Sequence, residues 1–363
     1  MDDRPLAAIV LAAGEGSRMR SARPKPLHVL CGRAMVLYVL DSLADIDVER
    51  AVVVVGHGAE QVTKKLQEEV GALHLDFVEQ AVQRGTGDAV SIALTAFADD
   101  DDKDDDDVLV LPGDTPLLRA STIARLVAEH RAANAACTLL TAISDDATGY
   151  GRILRGKDDR LQRIVEERDA SPTEKAITEW NTGIYCFRRS VLAPALRRVS
   201  PDNDQGEYYL TDVIEVLRDA GYPIVGVVTD DDLEPQGIND RRQLARCEGV
   251  LRERTNERWL RLGVTMLDPA TTYIDTTVRL APDVSVFPGT ILQGDTTVGE
   301  GAEVGPDTRL VDCRVGAHAI VANTVGRQAE IGDDAVVGPF AFLEPGSAVP
   351  PGTRTGPFYT GSG

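Results

Sequence analysis

The sequence has few cysteines, a deficit of basic residues and no long apolar run. Its five cysteines are scattered and form no CxxC pair, which argues against a disulfide framework or a zinc site and indicates a reducing compartment. Since no apolar run approaches the length of a membrane span, we expect a cytoplasmic protein without a membrane partner. The first apolar run has no basic segment before it, so we interpret it as a buried strand and not as a signal peptide.

Acidic residues outnumber basic ones, 58 to 38, and the formal net charge is −20. This balance argues against a nucleic-acid partner, because phosphate backbones are held by surplus lysine and arginine. Part of the excess is the run 99–107, which only Lys103 interrupts. The run lacks the alternating ligands and the glycine of a calcium loop, and we expect a solvated acidic loop.

A glycine turn follows the first apolar run in the string IVLAAGEGSRMRSARPK. A turn on Gly14 and Gly16 can bring backbone N–H groups against phosphate oxygens. Arg18 and Lys25 then add the positive charge that a polyphosphate requires. The string is neither a Walker A loop nor a dinucleotide fingerprint, because Met19 stands where the third glycine would be. Alone, the turn could be structural, but the cations that follow favour a nucleotide site.

The chain has 363 residues, more than one hydrophobic core usually accommodates, so we expect two domains. Its first part alternates short apolar runs with helical patterns. This alternation predicts an α/β, Rossmann-like domain with a mostly parallel sheet. Ligands bind beyond the carboxyl ends of such strands, where the glycine turn and Asp114 are expected to lie. The predicted helices span residues 34–44, 59–69, 86–97 and 120–134.

After residue 263 the pattern changes to an apolar residue at every sixth position. Hexapeptide repeats of this kind predict a short left-handed parallel β-helix. The phase slips after Leu310, which predicts a short loop projecting from one coil. We therefore expect an α/β domain that carries the nucleotide site at 1–239, a linker helix at 240–262, the β-helix at 263–358 and a flexible tail at 359–363. The expected inward positions are Ile274, Leu280, Val286, Leu292, Val298, Val304 and Leu310, then Ile331, Val337, Leu343, Val349 and Thr355.

Nine strings in the first part of the chain, followed by the hexapeptide repeats, carry a family resemblance. They are LAAGEGSRMRS, PKPLHVLCGRAM, EQAVQRGTGDAV, GDTPLL, GYGRILR, IVEERDAS, EWNTGIYCF, QGEYYLTDVI and GIND. In order and spacing they resemble the bifunctional N-acetylglucosamine-1-phosphate uridylyltransferase/glucosamine-1-phosphate acetyltransferase family, GlmU, up to about Pro357. The resemblance implies magnesium-dependent uridylyl transfer from UTP to N-acetylglucosamine 1-phosphate, with release of pyrophosphate, in the synthesis of cell-wall precursors.

The resemblance also implies a role for individual residues. Arg18 and Lys25 would stabilise the phosphates and the leaving pyrophosphate, a catalytic role that needs no protein nucleophile. Asp114 and Asn239 would hold Mg²⁺ by hard oxygen ligands, and Asn239 would also contact the substrate. The nucleotide would be bound by Leu11, Ala12, Ala13, Gly14, Gln80, Gly85 and Thr86, of which the last three would read the uracil edge. The sugar would be bound by Gly151, Glu166 and Asn181.

Each of these polar residues also has a purely structural interpretation. Gln80 could cap a neighbouring loop, Glu166 could belong to a surface ion pair, and Asn181 could be a turn residue. Asp114 could be the N-cap of a helix ahead of Leu117. The same resemblance leaves two further functions open: a nucleotidyltransferase for another hexose 1-phosphate or dTTP, and a non-catalytic scaffold that binds nucleotide sugars.

The chain departs from the family pattern in its β-helix. The string AFLEPG puts Glu344 where the family's ARLRPG has an arginine that holds the sugar phosphate, and a carboxylate repels that anion. In addition, the family's acetyltransferase residues lie beyond the part that this chain resembles. We therefore expect no acetyltransferase activity and a β-helix that serves for assembly. The resemblance implies a homo-oligomer, a trimer.

Overall fold

The computed structural model describes residues 4–71, 73–97 and 106–362. The chain divides into two compact units. The first contains the described residues of Met1–His28 and Ala34–Gln243, and the second those of Val29–Arg33 and Leu244–Gly363.

The first unit is built on a sheet of nine strands that is mostly parallel. The strands are β1 Leu6–Leu11, β2 Arg50–Val55, β3 Leu75–Glu79, β4 Asp107–Pro112, β5 Cys137–Ile143, β6 Arg152–Arg155, β7 Leu161–Val165, β8 Glu179–Arg188 and β9 Ile224–Val228. In the order β9-β5-β8-β4-β1-β2-β3, only β8 runs antiparallel to its neighbours, and β6 and β7 pair antiparallel at the side of β8. The predicted α/β class with a mostly parallel sheet is confirmed.

Helices cover both faces of this sheet, because its central strands carry apolar residues on both sides. On β1, Ile9 belongs to one core cluster and Val10 to the other. The helix predicted at 120–134 ends two residues earlier, and Asn134 follows in the left-handed conformation that often ends a helix. The helices are α1 Met35–Ala44, α2 Ala59–Glu69, α3 Thr86–Leu94, α4 Ala120–Ala132, α5 Pro172–Lys175, α6 Arg189–Leu196, α7 Asp212–Asp219 and α8 Arg241–Arg261. Short 3-10 turns span Ser17–Met19, Lys25–Leu27, Thr95–Phe97 and Pro269–Thr271.

The acidic run is not solvated at its end. Residues 99–105 lie outside the described residues, but Asp106 and Asp107 are buried. The expectation of a solvated loop is wrong for this pair, because Asp107 begins β4 and faces a basic cluster. Its carboxylate oxygens lie 3.3 Å from Nη1 of Arg4, 3.3 Å from Nε2 of His130 and 3.0 Å from Nε of Arg131.

The second unit is a left-handed parallel β-helix whose short strands stack into three parallel sheets of five, six and five strands. The predicted inward residues from Ile274 to Val349 are buried in its core, and Thr355 is half-buried. The strands are Thr265–Met266, Tyr273–Ile274, Arg279–Leu280, Ser285–Val286, Ile291–Gln293, Thr297–Val298, Glu303–Val304, Arg309–Val311, Arg314–Val315, Ile320–Val321, Val325–Arg327, Glu330–Ile331, Val336–Val337, Phe342–Leu343, Ala348–Val349 and Thr360–Gly361. A two-stranded ladder joins Val29–Leu30 and Arg33–Ala34.

The loop predicted after Leu310 is absent from this part of the β-helix, all of which is described. Instead, Val315, Val321 and Gly326 continue the inward positions, and their strands stay in register with the coil before. The phase slips because some sides of the coil are one residue shorter. Gly326 fits between neighbouring coils because an added Cβ would lie 3.1 Å from Cδ2 of Leu310.

The boundaries of the units differ from the predicted domains in two places. Residues 29–33 belong with the second unit, since the backbone N–H of Cys31 donates to Oε2 of Glu248 at 2.8 Å and its carbonyl accepts from the N–H of Thr276 at 3.0 Å. The expected flexible tail contains the strand Thr360–Gly361, which pairs with Phe342–Leu343. In the described part of the chain, no helix has both the length and the apolarity to cross a bilayer.

Candidate functional site

A cavity of about 430 Å³ opens in the first unit beyond the carboxyl ends of β1 and β4. This is the position at which ligands bind in parallel α/β sheets. Arg18 and Asn239 are not among its lining residues. The other predicted site residues line it: Leu11, Ala12, Ala13, Gly14, Lys25, Gln80, Gly85, Thr86, Asp114, Gly151, Glu166 and Asn181.

The glycine turn after β1 leaves backbone exposed at the cavity. An added Cβ on Gly14 would meet no atom within 4 Å, so this position borders open space. Gly16 has a φ of 65°, and a Cβ there would lie 2.7 Å from Cβ of Lys25. A residue other than glycine at position 16 would therefore push away the lysine that enters the cavity.

Lys25 joins two residues that are far apart in the chain. Its Nζ contacts Oδ2 of Asp114 and donates to Oδ1 of Asn239 at 2.9 Å. The loop before Asn239 is held against Asp114, because the N–H of Ile238 donates to the carbonyl of Asp114 at 2.9 Å. An added Cβ on Gly237 would lie 3.1 Å from Oδ1 of Asp114, so any larger residue at position 237 would have to displace that carboxylate slightly.

Asp114 caps no helix. It follows β4 in a turn, and α4 begins only at Ala120, with Arg119 as its N-cap residue. The N-cap interpretation of Asp114 is therefore wrong. Its carboxylate is instead available to a cation at the edge of the cavity.

The carboxylate of Asp114 and the amide oxygen of Asn239 fit a hard divalent cation. Both oxygens already converge on a positive charge, the ammonium group of Lys25. In the described ranges, no group of three or more His, Cys, Asp or Glu side chains could hold a metal ion. A cation at this point would therefore complete its shell with water and the phosphates of a ligand.

Arg18 is exposed on the 3-10 turn Ser17–Met19, away from the cavity wall. The carbonyl of Met19 accepts a hydrogen bond of 3.1 Å from Nε of Arg241, which ties this turn to the start of α8. The predicted role of Arg18 at the phosphates therefore stays a prediction.

Gln80 is almost fully buried, with 5% of its surface exposed. Its Nε2 donates to the carbonyl of Gly85 at 3.1 Å and to Oδ2 of Asp88 at 2.8 Å. Gln80 therefore does hold a neighbouring loop, and it also lines the cavity. Gln83, to which the sequence interpretation assigned no role, lines the cavity too and donates from Nε2 to the carbonyl of Ala13 at 2.7 Å.

Glu166 lines the cavity, is mostly buried and forms no surface ion pair in the described chain. Burial raises the pKa of its carboxyl group, although the Thr211 hydroxyl, which donates to Oε1 at 3.0 Å, acts in the opposite direction. The nearby acids Asp212 and Asp169 raise the pKa further. Thr211, which had no predicted role, also lines the cavity.

Asn181 lies inside β8, where the pairing with β5 is irregular, and not in a turn. Its Oδ1 accepts from the Tyr185 hydroxyl at 3.0 Å and from the N–H of Gly183 at 3.3 Å. Its Nδ2 has no partner within the described residues and is the atom that can donate to a ligand. An amide held in this way can recognise a hydroxyl or an acetamido oxygen.

Tyr150, which also had no predicted role, lines the cavity and contacts Trp180 and the backbone of Gly237. Its ring packs on Trp180 with centroids 4.1 Å apart, and its hydroxyl accepts from the N–H of Gly237 at 3.2 Å. It lies in the quoted string GYGRILR beside Gly151, which was the only signal for it in the sequence.

Comparison with known proteins shows which family the chain resembles. The sequence model of the nucleotidyl transferase family matches residues 7–263 of this chain. The bifunctional protein GlmU of Streptomyces avermitilis is 48% identical over 356 residues, which are 98% of this chain and 73% of that protein. The bifunctional protein GlmU of Heliobacterium modesticaldum is 42% identical over 351 residues, which are 97% of this chain and 75% of that protein. The similarity therefore extends over both units.

Proposed function

We propose that this chain, which belongs to the nucleotidyl transferase family and within it to the GlmU proteins, uses Mg²⁺ to transfer a uridylyl group from UTP to N-acetylglucosamine 1-phosphate. Pyrophosphate is the second product. The observation that carries the proposal is the meeting of Asp114 and Asn239 at the Lys25 ammonium group, beside a cavity at the strand ends.

The proposed reaction needs charge neutralisation and alignment more than it needs a protein nucleophile. A phosphate oxygen of the sugar 1-phosphate attacks the α-phosphorus of UTP, and the bond to the pyrophosphate oxygen breaks. Lys25 and Arg18 stabilise the charge that develops on the phosphates and on the leaving group. Asp114 and Asn239 would hold Mg²⁺, which would supply Lewis-acid neutralisation of the phosphate oxygens.

The other polar residues of the cavity orient the two substrates. Nδ2 of Asn181 donates to an oxygen of the sugar, and the Glu166 carboxylate accepts from a sugar hydroxyl group. On the nucleotide side, the exposed backbone at Gly14 approaches the phosphates, and Gln80, Gly85 and Thr86 contact the base. These contacts are supported by the position of each residue in the wall of the same cavity.

Pyrophosphate release tests the function directly. The chain is mixed with UTP, N-acetylglucosamine 1-phosphate and Mg²⁺, and a panel of other hexose 1-phosphates and dTTP is measured in parallel. Release with the first pair at the highest kcat/KM supports the proposal. Preference for another pair supports the alternative substrate, and no release with any pair supports the non-catalytic scaffold.

We further propose that the chain has no acetyltransferase activity. Glu344 is exposed on the β-helix, where its carboxylate repels the phosphate of a sugar 1-phosphate. Acetylation of glucosamine 1-phosphate by acetyl-CoA in the presence of this chain would contradict this point.

We also propose that the chain assembles through its β-helix into a homo-oligomer, a trimer by family resemblance. Four exposed apolar residues support it: the rings of Phe340 and Phe358 stack at 5.4 Å, and Val325 pairs with Phe342 on adjacent coils. Exposed apolar patches of this kind mark interfaces. Sedimentation velocity of the wild type and of Phe342→Arg tests the assembly, and a monomeric wild type would contradict it.

A further inference from the structure

The amide group of Gln80 has a defined orientation at the cavity. Its Nε2 uses both hydrogens, one to the carbonyl of Gly85 at 3.1 Å and one to Oδ2 of Asp88 at 2.8 Å. Its Oε1 has no hydrogen-bond partner in the described chain, and this oxygen is not fully buried. Because Gln80 lines the cavity, Oε1 is the atom available to a ligand there.

Asp88 prevents the opposite orientation. If the amide turned over, Oε1 would face the carbonyl of Gly85 and the carboxylate of Asp88, which both only accept hydrogen bonds. Both hydrogen bonds would be lost, and the Gly85 carbonyl and the Asp88 carboxylate would each face Oε1, another acceptor. Asp88 itself lies in the first turn of α3, where the helix favours a negative charge.

We propose that Asp88 is a positioning residue that determines the choice of pyrimidine through Gln80. With Oε1 directed to the cavity, Gln80 accepts a hydrogen bond from a base that carries N3–H, as uracil and thymine do. Cytosine has a lone pair at N3 and would face Oε1 acceptor to acceptor. The inference rests on the proposed function in one respect: a nucleotide base occupies this part of the cavity.

The selectivity of this arrangement follows from desolvation. A site built to accept a hydrogen bond rejects a base that cannot donate one, because its buried polar atom is then unpaired. Replacing Asp88 by Asn supplies an amide that can donate to a turned Gln80, so both orientations become accessible. Thymine keeps its N3–H, so Asp88 does not distinguish UTP from dTTP.

The test compares UTP with CTP in the full chain and in D88N. For each nucleotide, kcat/KM for pyrophosphate release is measured with N-acetylglucosamine 1-phosphate, and equilibrium binding is measured by calorimetry. We expect the ratio of UTP to CTP to fall by about tenfold or more in D88N, the worth of one hydrogen bond to a charged group. D88E, which keeps the carboxylate, should retain most of the ratio.

Glu60→Gln is the matched control, since Glu60 is an exposed acid in the first turn of α2. It removes the same charge from a helix N-terminus and should leave the ratio unchanged. If D88N does not fold, judged by its thermal unfolding, Asp88→Ser replaces it, because a hydroxyl group accepts or donates and should also lower the ratio.

The outcomes separate the inference from the proposed function. A wild type that prefers UTP together with an unchanged ratio in D88N overturns the role of Asp88 alone. If kcat/KM falls equally for UTP and CTP in D88N, the role of Asp88 in selectivity is also overturned, because Asp88 is then only a structural residue. A wild type that neither binds UTP nor releases pyrophosphate contradicts the proposed function itself.

Discussion

Nζ of Lys25 lies 2.9 Å from Oδ1 of Asn239, and the same ammonium group contacts the carboxylate of Asp114. A lysine thus holds together the two residues whose oxygens best fit a divalent cation. A divalent cation bound to these oxygens would displace the ammonium group of Lys25, whose charge would then be available to phosphate.

Lys25→Ala should lower kcat more than it raises KM, because the proposed charge acts mainly on the transition state. Loss of one such stabilising group typically costs about 10²–10³ in kcat. Steady-state pyrophosphate release measures the effect. Lys65→Ala is the control, since Lys65 forms only a helix-surface pair with Glu69. A rise in KM at constant kcat would show that Lys25 serves binding alone.

Adding Mg²⁺ should increase the reactivity of Lys25 towards an amine-acylating reagent, because the metal displaces the ammonium group from Asp114 and Asn239. Mass spectrometry of the labelled peptide reports this without a turnover assay. In Asp114→Asn the response to Mg²⁺ should be lost, since an anionic ligand is removed. Unchanged labelling of the wild type at saturating Mg²⁺ would place the metal elsewhere.

Asp107→Asn should destabilise the first unit by about 3–5 kcal/mol, because it leaves buried basic groups without their anionic partner. Asp107 has no exposed surface and contacts Arg4, His130 and Arg131. Urea unfolding measures the loss. Asp47→Asn, at an exposed acid, should change the free energy of unfolding little.

The same carboxylate predicts a pH dependence of stability. Burial alone would raise the pKa of Asp107, but the hydrogen bond from Arg131 and the neighbouring His130 and Arg4 lower it overall. A group with a lowered folded-state pKa stabilises the protein above its unfolded pKa of about 3.9 and loses that effect as the pH falls through the folded value. Below about pH 4, wild type and Asp107→Asn should therefore converge in stability. A constant difference down to pH 2 would contradict this assignment.

Gly326→Val should destabilise the β-helix by about 1–3 kcal/mol through overpacking. A Cβ at this position would lie 3.1 Å from Cδ2 of Leu310 and 3.5 Å from Sγ of Cys313 and Cβ of Leu343. Thermal unfolding of the full chain is the measurement. Gly249→Val in α8 is the control, because an added Cβ there would meet no atom within 4 Å and its φ is not positive. An equal change in the two variants would contradict the packing account.

Periodicity in the sequence predicted much of the fold. The hexapeptide positions from Ile274 to Leu310 are buried in the order expected, and helix α2 spans the predicted residues. The error after Leu310 arose because shortened coil sides change the phase without adding a loop. The solvated state expected for Asp107 was wrong because a run of acids does not show which member enters a strand.

By itself, the sequence determined the α/β class and the β-helix and predicted which residues form a nucleotide site, because strand and coil periods and the spacing of motifs are local properties of the chain. Only the tertiary structure decided that Lys25 meets Asp114 and Asn239, and that Asp88 orients the amide of Gln80. The first meeting depends on the order of strands in the sheet, and the second on how a helix end faces a strand end. Neither arrangement is encoded in the spacing of residues along the chain.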